Sequence, residues 1–137
     1  MSTFTALKNH QVRLASRPHG LPTRANWAFT EEAVAEPGPG GVLVKTLYLS
    51  LDPAMRGWMN EGKSYIPPVE INAVMRAGGV GQVVASNNPA FTVGDYVNAG
   101  LDVQAYCRSS ILTRATGPAA FQNPPGLHGT SGDTSYF

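Results

Sequence analysis

The amino-acid sequence predicts a mainly β domain, a barrel or sandwich of short strands with one or two short helices. Three observations carry that prediction. Short runs rich in β-branched and aromatic residues recur along the chain, parted by glycine and proline. No long stretch places apolar residues at helical spacing. The 137 residues make one ordinary domain, long enough to bury about two-thirds of its unfolded surface without a disulfide or metal.

The elements follow in order. Residues 11–17 alternate apolar and polar side chains and read as a first strand, stopped by Pro18, Gly20 and Pro22. Residues 27–34 read as a second. The run Glu36-Pro37-Gly38-Pro39-Gly40-Gly41 excludes any regular element, because proline fixes φ and glycine frees it. Residues 42–50, from Val42 to Ser50, form the clearest strand. Asp52-Pro53 then signals a helix start, and Gly57 and Gly62 limit that helix to about one or two turns. Pro67-Pro68 forces an extended segment. Residues 74–85 read as a strand entered through a bend at Gly78-Gly79-Val80-Gly81. Residues 91–97 and 101–107 supply two more, and from Arg108 the pattern fades. There is no internal repeat.

Composition excludes several functions. Ten basic and nine acidic residues give a net charge of +1, and Arg13, Arg17 and Arg24 are too sparse for a phosphate track, so nucleic-acid binding is not expected. Charged residues are only 14% of the chain, which leaves two readings open: uncharged polar side chains, or a face covered by something else. The single cysteine, Cys107, forbids an intrachain disulfide. No leader-like or membrane-spanning apolar run is visible, which predicts a cytoplasmic protein with no membrane partner. His10, His19, His128 and Cys107 lack metal-ligand spacing, so no metal is expected. There is no G-x-S-x-G nucleophile elbow. The Gly78 cluster lacks the third glycine and following helix of a dinucleotide fingerprint.

Two segments remain, residues 48–56 and 62–68. Asp52 and Arg56 stand at i, i+4 and can pair across one helical turn. Tyr65 sits before a rigid Pro-Pro unit, where its ring either packs or is presented from a stiffly held loop.

Those segments resemble a known group. Tyr48-Leu49-Ser50-Leu51-Asp52-Pro53-Ala54-Met55-Arg56 is similar to a Y-L-S-x-D-P-Y-M-R motif of the zinc-independent, NADPH-dependent alkenal/one and prostaglandin (leukotriene) reductases of the medium-chain dehydrogenase/reductase superfamily, above all their curcumin-reductase-like members. Leu14 to Gly20, Ser64-Tyr65-x-Pro67-Pro68, Ser86 to Pro89, Val93 to Val97 and Val103 to Tyr106 match as well. The resemblance covers residues 10–107.

It implies a GroES-like distorted β-barrel over residues 1–107, with residues 108–137 an irregular tail leading toward an absent Rossmann domain that binds NADP. It implies an oxidoreductase that delivers hydride to the β-carbon of an enone or enal, then a proton to the α-carbon, without metal. Tyr65 matches the tyrosine implicated as proton donor or substrate contact, and a phenol ordinarily keeps its proton at neutral pH. Tyr48, Asp52, Met55 and Arg56 would line or shape the substrate cleft. Ala54 departs from the motif's tyrosine and puts substrate choice in question. Residues 129–137 loosely resemble the approach to the cofactor domain, which suggests a truncation or an excised domain that is inactive alone. Two alternatives stay open: a non-catalytic binding or assembly module on the same barrel, and part of an NADPH quinone reductase. Oligomeric state is open, a homodimer included.

Overall fold

The computed structural model describes residues 6–62, 64–110 and 112–115. It is mainly β, as the sequence predicts. Seven strands are present: β1 (Lys8–Leu14), β2 (Trp27–Ala33), β3 (Val42–Leu49), β4 (Gly78–Ser86), β5 (Tyr96–Gly100), β6 (Tyr106–Ser109) and β7 (Thr113–Arg114). One α-helix, α1 (Ala54–Trp58), and a single 3-10 turn (Arg24–Asn26) complete the described elements. β1 and β2 form an antiparallel ribbon, and the other five strands form an antiparallel sheet in the order β6-β3-β4-β5-β7.

β1 joins the two sheets. One edge pairs with β2, placing Leu14 opposite Trp27 and Lys8 opposite Ala33. Its other edge is used too. The Val12 N–H donates to the Val103 carbonyl (3.0 Å), the Leu14 N–H to Ala73 (3.0 Å), and the His10 carbonyl accepts the Ala105 N–H (3.0 Å). The strand starts and ends three residues earlier than the sequence suggests. Ala15 and Ser16 both turn their N–H groups to the Asn26 carbonyl, which ends the ladder at Leu14.

A polar network reinforces this junction. Asn9 Nδ2 donates to Gln104 Oε1 (3.0 Å), and Asn9 Oδ1 accepts the Tyr106 N–H (2.9 Å). Gln11 Nε2 donates to Glu32 Oε1 (3.0 Å), while Gln11 Oε1 accepts from Arg13 Nη2 (2.8 Å) and Thr30 Oγ1 (3.2 Å). Asn9 and Gln11 are buried, and each finds its partners, so the desolvation cost of two amides is offset.

Two apolar clusters lie beneath these elements. Val42, Val44, Val83, Val97 and Leu101 fill the five-stranded sheet, with Cys107 and Phe91 packed against them. Leu14, Met59, Val69 and Met75 form the second, with Trp27, Met55, Trp58 and Val103 at its margin. The second cluster carries the site.

Three sequence expectations need correction. Gly78, Gly79 and Gly81 do not bend the chain into a strand; they are part of β4 itself. β3 carries an extra residue between Thr46 and Tyr48, and β4 presses close against that bulge. A Cβ on Gly79 would stand 2.5 Å from the Tyr48 carbonyl, and one on Gly81 2.5 Å from that of Lys45. Second, residues 101–105 are not strand: Asp102 takes φ 62° and turns the chain, leaving only Tyr106–Ser109 extended. Third, the sheet does not fade at 107. β6 continues to Ser109 and β7 pairs with β5 through Arg114. The expected tail, residues 116–137, lies outside the described residues.

Two glycine substitutions should separate close approach from helix propensity. Gly81→Ala must push β4 from β3 and should cost about 1–3 kcal/mol in urea unfolding. Gly57→Ala, in α1 with nothing within 4 Å of the new methyl, should stabilise the protein by about 0.5–1 kcal/mol.

Candidate active site

Helix α1 follows from two residues. Pro53 has φ −54° and ψ −29°, already helical. Asp52 Oδ1 accepts the Ala54 N–H at 2.7 Å, and the Asp52 carbonyl accepts that of Met55 at 2.9 Å. The chain then returns beside its own helix, where the Val69 N–H donates to the Trp58 carbonyl at 2.9 Å.

The sequence-derived candidates separate into two groups. Asp52 is committed to the helix start. Arg56 does not pair with it: Nε donates to the Gly20 carbonyl (2.8 Å), Nη2 to that of Pro18 (3.1 Å) and Nη1 to Asn60 Oδ1 (2.6 Å). Neither ion pair among the described residues, His10–Glu31 and Asp95–Arg114, involves these two side chains. Arg17 Nη1 donates to the Met59 carbonyl (2.7 Å), so the loop after β1 and the helix are cross-tied by two arginines. Asp52 and Arg56 thus fix the frame. Tyr48, half-buried on β3 opposite Val80, belongs to the bulged edge of the same frame.

Met55 and Tyr65 belong to the second group. Met55 packs against the second cluster. Tyr65 is 75% exposed, and its hydroxyl oxygen accepts a hydrogen bond from Trp58 Nε1 at 2.8 Å. An indole nitrogen can only donate. The phenol's own proton is therefore not used in that bond. Trp58 leans on the second cluster, with the Arg76 guanidinium 5.5 Å from its ring centroid. Sequence reasoning singled out neither Trp58 nor Arg76. The intervening loop has no helical or strand period, so no spacing rule links Trp58 to Tyr65.

Around the Asp102 turn burial weakens the acidity of two groups. Burial pushes the Asp102 carboxyl up, against the Ala77 N–H and the Arg76 charge, which pull it down. Burial, and then the Asp102 charge, push the Cys107 thiol up to about 11. Cys107 packs against the first cluster and stays protonated at neutral pH.

Among the described residues no group of three or more His, Cys, Asp or Glu is placed to hold a metal. No helix among them is long and apolar enough to cross a membrane. Every strand pairing described is antiparallel and α1 has five residues, so these residues offer no β-α-β seat for a dinucleotide.

Comparison with known proteins places this geometry. Residues 10–114 match the family described as the N-terminal domain of oxidoreductase. The chain is 44% identical over 135 residues to the NADPH-dependent curcumin reductase of Escherichia coli strain K12, covering 94% of this chain and 38% of that protein. It is 34% identical over 96 residues to the 2-alkenal reductase (NADP(+)-dependent) of Nicotiana tabacum, covering 66% of this chain and 28% of that one. The crystal structure of CurA in complex with NADPH from Vibrio vulnificus superposes with a TM-score of 0.77 at 42% identity, over 83% of this chain and 35% of that one. The chain therefore spans well under half the length of these relatives.

The Cys107 environment is open to test. Alkylation by iodoacetamide should be slow at neutral pH and quicken as pH rises toward about 11. Asp102→Asn removes one of the two upward pushes and should speed the reaction at fixed pH. The stability linked to this thiol has a defined sign. It is present below the ordinary value of 9.0 and is lost as pH rises through about 11, because the unfolded chain ionises first.

Proposed function

This chain belongs to the GroES-like N-terminal domains of medium-chain dehydrogenase/reductase oxidoreductases, and from that we propose that it forms the substrate-side wall of an NADPH-dependent enzyme that reduces the activated C=C bond of enones and enals. Support for the substrate class comes from the two relatives named for curcumin and 2-alkenal reduction. One observation carries the role of this chain: the exposed Tyr65 hydroxyl, whose oxygen is already engaged by Trp58 and whose proton is not.

NADPH, held by a part of the enzyme outside the described residues, supplies hydride to the β-carbon. Tyr65 then donates its proton to the α-carbon as general acid. The Trp58 Nε1–H remains on the oxygen as the proton leaves, so the developing charge meets a donor already in place. Water restores the proton, which the exposure of the ring permits. Met55 supports the second cluster behind Trp58, while Asp52, Arg56 and Tyr48 hold the frame.

The test has two arms. This chain, mixed with NADPH and a simple enone, should give no loss of NADPH absorbance; clear oxidation would overturn the division of labour. In a polypeptide that also carries the cofactor-binding part, Tyr65→Phe should lower kcat by roughly 10²–10⁴. A rate equal to wild type would remove Tyr65 as the acid.

A further inference from the structure

The Arg76 charge acts on the Asp102 carboxyl, but the two form no ion pair. The neighbours of Arg76, Met75 and Ala77, are each about 1% exposed, and the main chain on either side is tied down. The Met75 N–H donates to Val12 (2.9 Å), the Met75 carbonyl accepts from Val103 (2.9 Å), and the Ala77 carbonyl accepts from Asp102 (2.9 Å). The side chain leaves this rigid segment and sets its guanidinium over Trp58. Its Nη1 is buried without a hydrogen-bond partner, and Arg76 takes part in neither ion pair among the described residues. A buried, unpaired cationic N–H is costly, and an apolar side chain of similar length would avoid the cost. What arginine adds is positive charge, set on the face of the indole and felt by the Asp102 carboxyl.

That indole is the only described partner of an exposed side chain. Tyr65 gains little from packing, being 75% exposed, and its loop passes through Gly62 at φ 109°. Its place is set by the hydrogen bond from Trp58, so it is only as well defined as the tilt of the Trp58 ring. The apolar cluster and the Arg76 cation together hold that tilt.

We propose that Arg76 is a positioning residue: its cation clamps the Trp58 ring so that Nε1–H points at the Tyr65 oxygen, leaving the phenol proton directed toward substrate. The inference rests on the reading of Tyr65 as proton donor. It adds that the donor's aim is set from the strand-side segment, three side chains deep.

The indole N–H resonances of the ¹⁵N-labelled protein test it without cofactor. Trp58→Phe identifies which of the Trp27 and Trp58 signals belongs to Trp58. Tyr65→Phe removes the acceptor and should move that signal upfield, which fixes the position of an unbonded indole. Arg76→Met should move it toward the same position, and Arg76→Gln, which keeps a planar polar end without charge, should do likewise. A Trp58 signal at the wild-type position in either variant overturns the proposal. Failure of both variants to fold also overturns it, since Arg76 would then be present for stability. The two readings fail separately. Full turnover in Tyr65→Phe alongside a displaced indole signal in Arg76→Met removes only the proton donor; lost turnover with an unmoved signal removes only the clamp.

Discussion

The structure depends on β1 having no free edge. A strand at the margin of a sheet exposes a row of unpaired donors and acceptors. Here β1 spends one row on β2 and the other on residues 72–75 and 103–105. Asn9, Gln11 and Gln104 lock the register with side-chain bonds that a one-residue slip would break. Without this double pairing, the β1–β2 ribbon would be an isolated hairpin, which is marginal in water.

The site is a consequence of the same junction. Leu14, at the end of β1, is fully buried in the second cluster, and Met75 joins it from the segment paired to β1. Trp58 rests on that cluster and Tyr65 on Trp58. Arg17 and Arg56 brace the helix against the loop that leaves β1. The exposed phenol is thus connected to the most constrained strand by a short series of contacts. Rigid support for a group that must stay accessible is what the proton-donor role proposed for Tyr65 requires.

Much of this is legible in the sequence alone. β3 is the clearest because the glycine run precedes it and Asp-Pro follows it, while β2 is bounded sharply only at its far end. The start of α1 was clear because Asp-Pro carries its own geometry. Other features were not. The glycines of β4 read as a bend because a local pattern cannot show that β3 bulges against them. Asp102 looked like strand because neighbouring residues are apolar, and its left-handed turn is set by pairing with Ala77 far along the chain. β7 was missed because a two-residue edge strand leaves no period to detect. At the site, Tyr65 came from a motif and Arg56 from helix spacing. Arg56 found backbone carbonyls at Pro18 and Gly20 that only the folded loop brings near. Trp58 and Arg76 gave no signal, since their contact joins segments that share no periodicity.

The double pairing of β1 also orders events in time. Asn9 meets Gln104 across 95 positions, so β1 cannot complete its bonds until the segment around Gln104 has been synthesised. Such distant closure makes folding slow relative to helical domains of equal size. Until then β1 carries an open row of donors and acceptors on the edge away from β2.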